Sequence, residues 1–370
     1  MVFYTATRAY WDGDLPLIFD GDRLTNSINE RFSTWLSWPL PLHPWLYPPH
    51  FLLYLLPFGL IPPASSCALF LLSGLVLLVA AIRSVVRGGR QRFVHVASLA
   101  LCPATAITVC LGQNAFLSSA LLVAGLGLAG RRPLLGGALL GALSFKPQLC
   151  LLAPVALAAA RQWRALISAI TAGLLLAAIS LMILGGEPWR AWIDLITGSN
   201  PVYERWVAIG RLNGQSVYTC AALLGASREL ANLIQGLACL LAAGSVYRIF
   251  RRRAPLGLKI AVILAATTLA APHIIAYDLL MLAIAASLVF CDAFEKELRP
   301  AEAIIIVAAW LMPLFNPPSV FWPGLFTPVV ISLLIGCAML RAAGVSSMEH
   351  PAHRLNEAPE RRAEKSGPIS

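Results

Sequence analysis

The sequence predicts an all-α integral membrane protein. Apolar residues make up 58% of its 370 residues and charged residues only 12%, with a mean hydropathy of +0.73. Soluble domains carry roughly 25% charged residues, so a soluble enzyme is excluded. The apolar residues form long runs, and arginines gather in the stretches between them. The net charge of +10 therefore indicates membrane orientation rather than a nucleic-acid partner.

The apolar runs predict a bundle of about 10–11 transmembrane or half-membrane helices, since a straight span needs about 20 apolar residues. The candidate spans are 64–82, 93–110, 115–130, 166–184, 230–249, 257–271, 274–291 and 325–340. Three shorter runs, at 134–145, 149–160 and 303–315, predict tilted or half-membrane helices. Segment 51–61 lies between two prolyl pairs and predicts an interfacial or re-entrant helix.

The positions of the basic residues orient the predicted bundle. Arginine clusters recur on alternate connections, which places those connections in the cytoplasm. A polytopic membrane domain is expected over 1–341, with a first extracytoplasmic loop at 1–50 and a second at 185–215. Trp189 and Trp192 favour an amphipathic helix in that second loop. The polar tail 342–370 is expected to be disordered in the cytoplasm.

The eight cysteines stand apart from one another, nearly all of them in apolar runs, without a C-x-x-C pair or a neighbouring histidine. They are interpreted as small apolar residues, and neither a metal site nor a cofactor is predicted.

Lys146 is the clearest candidate functional residue. It lies between two short apolar helices, on the side where a positive-inside chain has little reason to keep a cation. A lysine there could bind a phosphate group as a compact charge. The alternative is a snorkelling lysine that only ends a helix.

A second candidate group is Pro272-His273, followed by Tyr277 and Asp278. Reading 274–291 as one span puts Asp278 about one turn inside a membrane helix, where a carboxylate is costly unless it is paired or hydrated. His273 could donate a hydrogen bond to a phosphate group. Histidine at a helix end and aspartate as a structural acceptor remain the alternative.

Amides and hydroxyls mark two further turns on the same side. Gln113 and Asn114 lie between two spans, and Asn213, Gln215 and Ser216 end the second loop. Such groups could bind sugar hydroxyls, and helix capping explains them equally well.

The first loop is acidic and aromatic. Asp12, Asp14 and Asp20 are candidate general bases, because a carboxylate can take a proton from an attacking hydroxyl group. Ordinary solvation is the simpler interpretation for any one of them. The nearby tryptophans and tyrosines, Tyr47 among them, could anchor the chain at the interface or stack on sugar rings.

Five motifs in order resemble glycosyltransferase family 87, the polyprenyl-phosphate-dependent mannosyltransferase-like proteins of the GT-C superfamily. The resemblance extends from Met1 to about residue 340, and no single motif is decisive. The motifs are Tyr47-Pro48-Pro49, Gly112-Gln113, Lys146-Pro147-Gln148-Leu149 with Arg161-x-Trp163-Arg164, Asn213-x-Gln215-Ser216, and Pro272-His273-x-x-x-Tyr277-Asp278.

The resemblance implies a GT-C-like bundle in a bacterial inner (plasma) membrane, with its site open to the periplasm or outside. It implies an inverting hexosyltransferase with a polyprenyl-phosphate sugar donor, expected to carry mannose, and a lipid or glycan acceptor. A first-loop carboxylate would be the base, while Lys146, His273 and the neighbouring polar groups would hold the leaving phosphate.

One departure from the family pattern is visible. Family members place a transmembrane span and an acidic residue ahead of a segment resembling Val2-Phe3-Tyr4, whereas this chain opens at that segment. Two expectations follow: either the start is set too far downstream, so that the first span and a catalytic acid lie before Met1, or this is a truncated family member. Asp20, in Ile18-Phe19-Asp20, resembles a second loop acid of the family.

Two other functions stay open at this stage. Short helices interrupted by proline and an intramembrane Asp278 are also found in transporters and lipid flippases. The departure at the start of the chain allows an inactive, truncated family member.

Overall fold

The computed structural model describes residues 1–348 except 87, 199 and 211–213. Every regular element in this part of the chain is helical, which confirms the all-α class. The α-helices are α1 (Val2–Trp11), α2 (Leu15–Phe19), α3 (Gly21–Arg31), α4 (His50–Leu55), α5 (Pro63–Val85), α6 (Gly89–Leu101), α7 (Pro103–Leu111), α8 (Ala115–Ala129), α9 (Pro133–Ala142), α10 (Pro147–Cys150), α11 (Ala153–Ala159), α12 (Trp163–Leu184), α13 (Glu187–Ile196), α14 (Pro201–Gly210), α15 (Val217–Leu223), α16 (Arg228–Arg251), α17 (Leu256–Ala270), α18 (Leu280–Lys296), α19 (Pro300–Leu311) and α20 (Thr327–Met348).

Only some of these helices are long enough to cross a membrane unaided. Within the described residues, α5, α12, α16 and the Trp322–Gly344 stretch that contains α20 have both the length and the apolar composition. Helices α6 and α7 would form a fifth span, but they meet at a bend of 53°. Pro103 begins α7 and cannot donate a backbone hydrogen bond into α6, so the run 93–110 is broken rather than straight.

Three predicted full spans form helices of fewer than 18 residues, which are too short for a straight membrane crossing. The runs 115–130 and 257–271 form α8 and α17, each of 15 residues. The run 274–291 was wrongly read as one helix, because α18 starts only at Leu280. Most side chains of α17 and α18 are buried, so these helices pack inside the protein and need not match the bilayer thickness.

The two predicted large loops lie at one end of the bundle. Trp192 on α13 donates a hydrogen bond to the Leu46 carbonyl oxygen at 3.2 Å, and Arg205 on α14 pairs with Asp22 on α3 at 2.9 Å. The predicted interfacial segment 51–61 forms α4 and a 3-10 turn, Leu56–Leu60. The two loops therefore form one layer above the helices.

Basic connections gather at the other end. Arg341 on α20 pairs with Asp292 on α18 at 3.2 Å and with Glu302 on α19 at 2.9 Å. Gln91 on α6 donates a hydrogen bond to Glu295. Several connections that the arginine pattern assigns to one side therefore meet in the structure. Of the predicted tail 342–370, residues 342–348 continue α20, and the rest lies outside the described residues.

Helix α9 packs on α12 through glycines that allow close backbone approach. A β-carbon at Gly137 would meet the Ala165 carbonyl oxygen, and one at Gly141 would meet that of Ala169. Small residues four apart on a helix are the usual means of such packing in membranes. This contact positions α9, and with it the chain that leads to Lys146.

Gly141→Ala is therefore expected to destabilise the protein by about 1–3 kcal/mol, because the new methyl group overlaps α12. Gly244→Ala on α16 is the matched control, since nothing lies within 4 Å of its added β-carbon. The control should leave stability unchanged or raise it by up to about 1 kcal/mol. Denaturant titration of the purified protein in detergent measures both, and equal effects would contradict the assignment of close packing.

Candidate active site

Lys146 interrupts the hairpin between α9 and α11. Its backbone is not helical (φ −122°, ψ 76°), because Pro147 follows and a proline disfavours the helical conformation in the residue before it. A 3-10 turn, Leu143–Phe145, leads into Lys146, whose N–H donates to the Leu143 carbonyl oxygen at 2.9 Å. The side chain is only 3% exposed, so the interruption places a cation inside the protein.

Asp278 is the partner of that cation. The Lys146 Nζ atom lies 2.7 Å from Asp278 Oδ1, and the Asp278 side chain is only 7% exposed. Asp278 belongs to the turn that precedes α18, and its N–H donates to the Ile275 carbonyl oxygen at 2.8 Å. Nζ also lies 5.2 Å from the centre of the Tyr277 ring, within cation–π range. Both charges are thus buried and paired.

Tyr47 and Asn114 complete a polar group around the pair. Tyr47 is close enough to interact electrostatically with both Lys146 and Asp278, and its hydroxyl neighbours the Asn114 side chain. Asn114 is 1% exposed, and apart from this interaction with Tyr47 neither its Nδ2 nor its Oδ1 atom has a hydrogen-bond partner among the described residues. Buried amides almost always have hydrogen-bond partners. The donor and acceptor atoms of Asn114 are an exception, and a bound ligand would supply their partners.

The turn that carries Asn114 depends on Gly112. This glycine ends α7 in the left-handed conformation, with φ +59°, which residues with a side chain adopt at a cost. The chain then reverses through Gln113 into α8, and the Gln113 Oε1 atom is also buried, with no hydrogen-bond partner in the part of the chain that the structure describes. The glycine therefore directs two unsatisfied amides to the same turn.

An aromatic wall borders the site. The Phe51 and Phe145 rings stack with centroids 4.4 Å apart, and the Tyr47 ring lies 4.7 Å from that of Phe51. Phe145 directly precedes Lys146 in the chain. Rings of this kind exclude water and lower the local dielectric, which strengthens the interactions of any charge held there.

The model of glycosyltransferase family 87 matches residues 45–272, well over half of the chain. The chain belongs to this family. The match includes Tyr47, Asn114 and Lys146 and ends before Asp278. No curated protein and no solved structure matches the chain.

The three first-loop acids predicted as candidate bases of this glycosyltransferase all have structural partners. Asp12 pairs with Arg8 at 2.6 Å, and Asp14 accepts from the Leu17 N–H and pairs with Arg23 at 2.8 Å. Asp20 caps α3 through Oδ1, which accepts from the N–H groups of Asp22 and Arg23. None of them contacts the Lys146 and Asp278 side chains in the described part of the chain, and their catalytic role stays a prediction.

His273 joins the second loop instead of the ion pair. Its Nε2 atom lies 3.3 Å from the Tyr203 hydroxyl, and its ring packs against Trp206 on α14. Burial lowers the pKa of His273 below its usual value, which favours the neutral ring. His273 therefore links the turn that carries Asp278 to the loop layer above it.

The polar residues that end the second loop serve mainly local structure. The Gln215 N–H donates to the Ile274 carbonyl oxygen at 2.8 Å, and its Nε2 donates to that of Phe315 at 3.0 Å. Ser216 caps α15 by accepting from the Thr219 N–H at 3.1 Å. Asn213 lies outside the described residues. Gln215 Oε1 is buried and has no hydrogen-bond partner among residues 1–348 as described, without 87, 199 and 211–213.

Two buried side chains near the site were missed by sequence reasoning. His50 is 3.1 Å from the Ser144 hydroxyl and stacks on Trp189 of α13. Gln235 on α16 donates to the Leu269 and Ala270 carbonyl oxygens at 3.1 and 3.0 Å, which satisfies the end of α17 just before the turn with Asp278. Both are polar residues within apolar runs, and that signal could have found them.

Lys146→Met is expected to cost about 3–5 kcal/mol of stability, because it leaves the Asp278 carboxylate buried and unpaired. The double variant Lys146→Met/Asp278→Leu should recover most of that loss, since neither charge is left alone. Lys296→Met, which removes an exposed lysine paired with Asp292, is the control and should cost at most about 1 kcal/mol. Denaturant titration in detergent measures all three, and a double variant as unstable as the single one would contradict the pairing.

Proposed function

We propose that this glycosyltransferase transfers a hexose, expected to be mannose, from a polyprenyl-phosphate carrier to a lipid or glycan acceptor on the extracytoplasmic face. The observation that carries the proposal is the buried ion pair of Lys146 and Asp278, beside the unsatisfied amide of Asn114, in a membrane protein of this family. A donor that itself resides in the membrane accounts for an enzyme made almost entirely of apolar helices.

Lys146 suits the leaving phosphate. When the sugar–oxygen bond breaks, negative charge grows on the phosphate oxygen, and a fixed ammonium group in a dry site stabilises that charge. A lysine ammonium has three N–H donors, and Asp278 Oδ1 accepts one of them. Asp278 keeps the lysine charged and oriented before the donor arrives, and the phosphate then shares or replaces it as partner.

Asn114, Tyr47 and Tyr277 suit the neutral part of the donor. A sugar hydroxyl both donates and accepts hydrogen bonds, which matches the free Nδ2 and Oδ1 atoms of Asn114. The two tyrosine rings offer faces beside the charged pair. These groups would orient the sugar so that its anomeric carbon is open to attack from the side opposite the phosphate.

Asp20 is the first-loop acid best suited to act as base. Inversion in one step requires a carboxylate that takes a proton from the acceptor hydroxyl group as that group attacks. Asp12 and Asp14 are held in ion pairs with arginines, whereas Asp20 is exposed and uses Oδ1 for its capping bonds. The proposal places Asp20 on the acceptor side and Lys146 on the donor side.

The proposed location is a bacterial inner membrane, with the site facing outside. The separation of a loop layer at one end from Arg341 and the other basic connections at the opposite end supports this orientation.

Lys146→Met/Asp278→Leu is expected to lose transfer by at least about a hundredfold even where its stability is recovered, because the phosphate loses its cation. The measurement is consumption of labelled polyprenyl-phosphate mannose by membranes containing each variant at equal protein level. Lys296→Met is again the control and should transfer normally. Activity that returns together with stability in the double variant would assign the pair a purely structural role.

Asp20→Asn is expected to lower transfer by about 10²–10⁴-fold. Asparagine is as good a helix N-cap as aspartate, so α3 should stay intact while the basic oxygen is lost. Glu30→Gln, an exposed acid near the end of α3, is the matched control and should leave transfer unchanged. A fully active Asp20→Asn enzyme would exclude Asp20 as the base.

A further inference from the structure

A groove between α6, α18 and α19 lies apart from the candidate active site. It has a volume of about 320 Å³, and the residues that line it include Phe93, Ala97, Ser98, Phe290 and Trp310. Phe93 and Leu101, which mark its ends along α6, are eight residues apart, or about 12 Å at 1.5 Å per residue. The groove is therefore long, narrow and open along its side.

The polar groups in this groove are already satisfied. The Trp310 indole N–H donates to Ser98 Oγ at 3.0 Å, and the Ser287 hydroxyl donates to the Ile284 carbonyl oxygen at 2.9 Å. Every other lining side chain is apolar. A polar ligand in the groove would lose its hydrogen bonds to water without gaining new ones from the lining. A hydrocarbon chain forms no hydrogen bonds and therefore loses none.

One end of the groove is cationic. The Arg90 guanidinium lies 4.7 Å from the centre of the Phe294 ring, one turn of α18 beyond Phe290, and it forms no salt bridge within the described residues. The nearest acids along α18 have their own partners: Asp292 pairs with Lys296 and Arg341, and Glu295 accepts from Gln91. Arg90 is thus free to hold an anion at the mouth of an apolar groove.

We propose that this groove holds one acyl chain of an anionic phospholipid, with its phosphate on Arg90. A chain gains little hydrophobic energy on moving from bilayer to groove, because both are apolar. Selectivity therefore comes from the headgroup contact. One basic residue near an anionic lipid favours it about fivefold over a neutral lipid. This site is independent of the glycosyl transfer proposed above.

Trp310 allows a direct test, because bromine atoms on an acyl chain quench a nearby indole. The protein is placed in nanodiscs of phosphatidylcholine that carry a small fraction of brominated phosphatidylglycerol or, separately, brominated phosphatidylcholine. Subtracting the Trp310→Phe variant isolates the Trp310 signal. We expect half of the Trp310 fluorescence to be quenched at about a fivefold lower fraction of brominated phosphatidylglycerol than of brominated phosphatidylcholine. Equal responses to the two lipids would overturn the proposal.

Two variant pairs assign the effect to the groove. Ala97→Phe fills it and should abolish the quenching preference, whereas Ala100→Phe adds the same ring at an exposed position of α6 and should keep it. Arg90→Gln should make the two lipids equal, whereas Arg164→Gln on α12 should not. A preference that survives Ala97→Phe or Arg90→Gln contradicts the site.

Native mass spectrometry compares the amounts of phosphatidylglycerol and phosphatidylcholine bound to the unsubstituted protein and to Arg90→Gln. This second measurement does not depend on the Trp310→Phe variant. Polyprenyl phosphate also carries an anionic phosphate, so at equal fraction it should displace the brominated lipid no more than in proportion to its amount. Displacement well beyond that proportion would assign the groove to the polyprenyl chain and overturn the proposal.

Discussion

The ion pair of Lys146 and Asp278 is the constraint on which the rest of the structure depends. A lone charge in an apolar interior is costly, so these two residues have to meet, although 132 positions separate them in the chain. Meeting requires a break on each side: a non-helical residue, Lys146, before Pro147 and a turn before Leu280. The short helices of this bundle follow from those breaks.

The helices around these two breaks bury them and supply hydrogen bonds to their backbone groups. Helices α17 and α18 are buried, whereas long helices such as α5, α12 and α16 present most of their surface outward. Gln235 donates hydrogen bonds to two carbonyl oxygens at the end of α17 that have no partner within the helix. Above them the two loops are tied by Arg205 and Asp22, and the guanidinium of Arg205 holds the pKa of that carboxyl below its usual range. This layer covers the side on which Tyr47 and His273 lie.

Composition and hydropathy were enough to predict the class and several long spans, while polar positions and motifs marked Lys146, Asp278, Tyr277, Tyr47 and Asn114 as separate candidates. They could not predict that these residues meet, because hydropathy carries no information on contacts between distant segments. The misreading of 274–291 has the same origin, since residues 274–279 are mostly apolar but form a turn before α18. The first-loop acids show another limit: an aspartate that caps a helix and one that takes a proton look alike in sequence.

The most direct test of the account is the position of the donor phosphate in a structure of the protein bound to a non-hydrolysable polyprenyl-phosphate sugar analogue. The account predicts a phosphate oxygen within hydrogen-bond distance of Lys146 Nζ, at about 2.7–2.9 Å, and the sugar beside Asn114 and Tyr47. A phosphate bound elsewhere, with the Lys146–Asp278 pair unchanged and Asn114 still unpartnered, would contradict it.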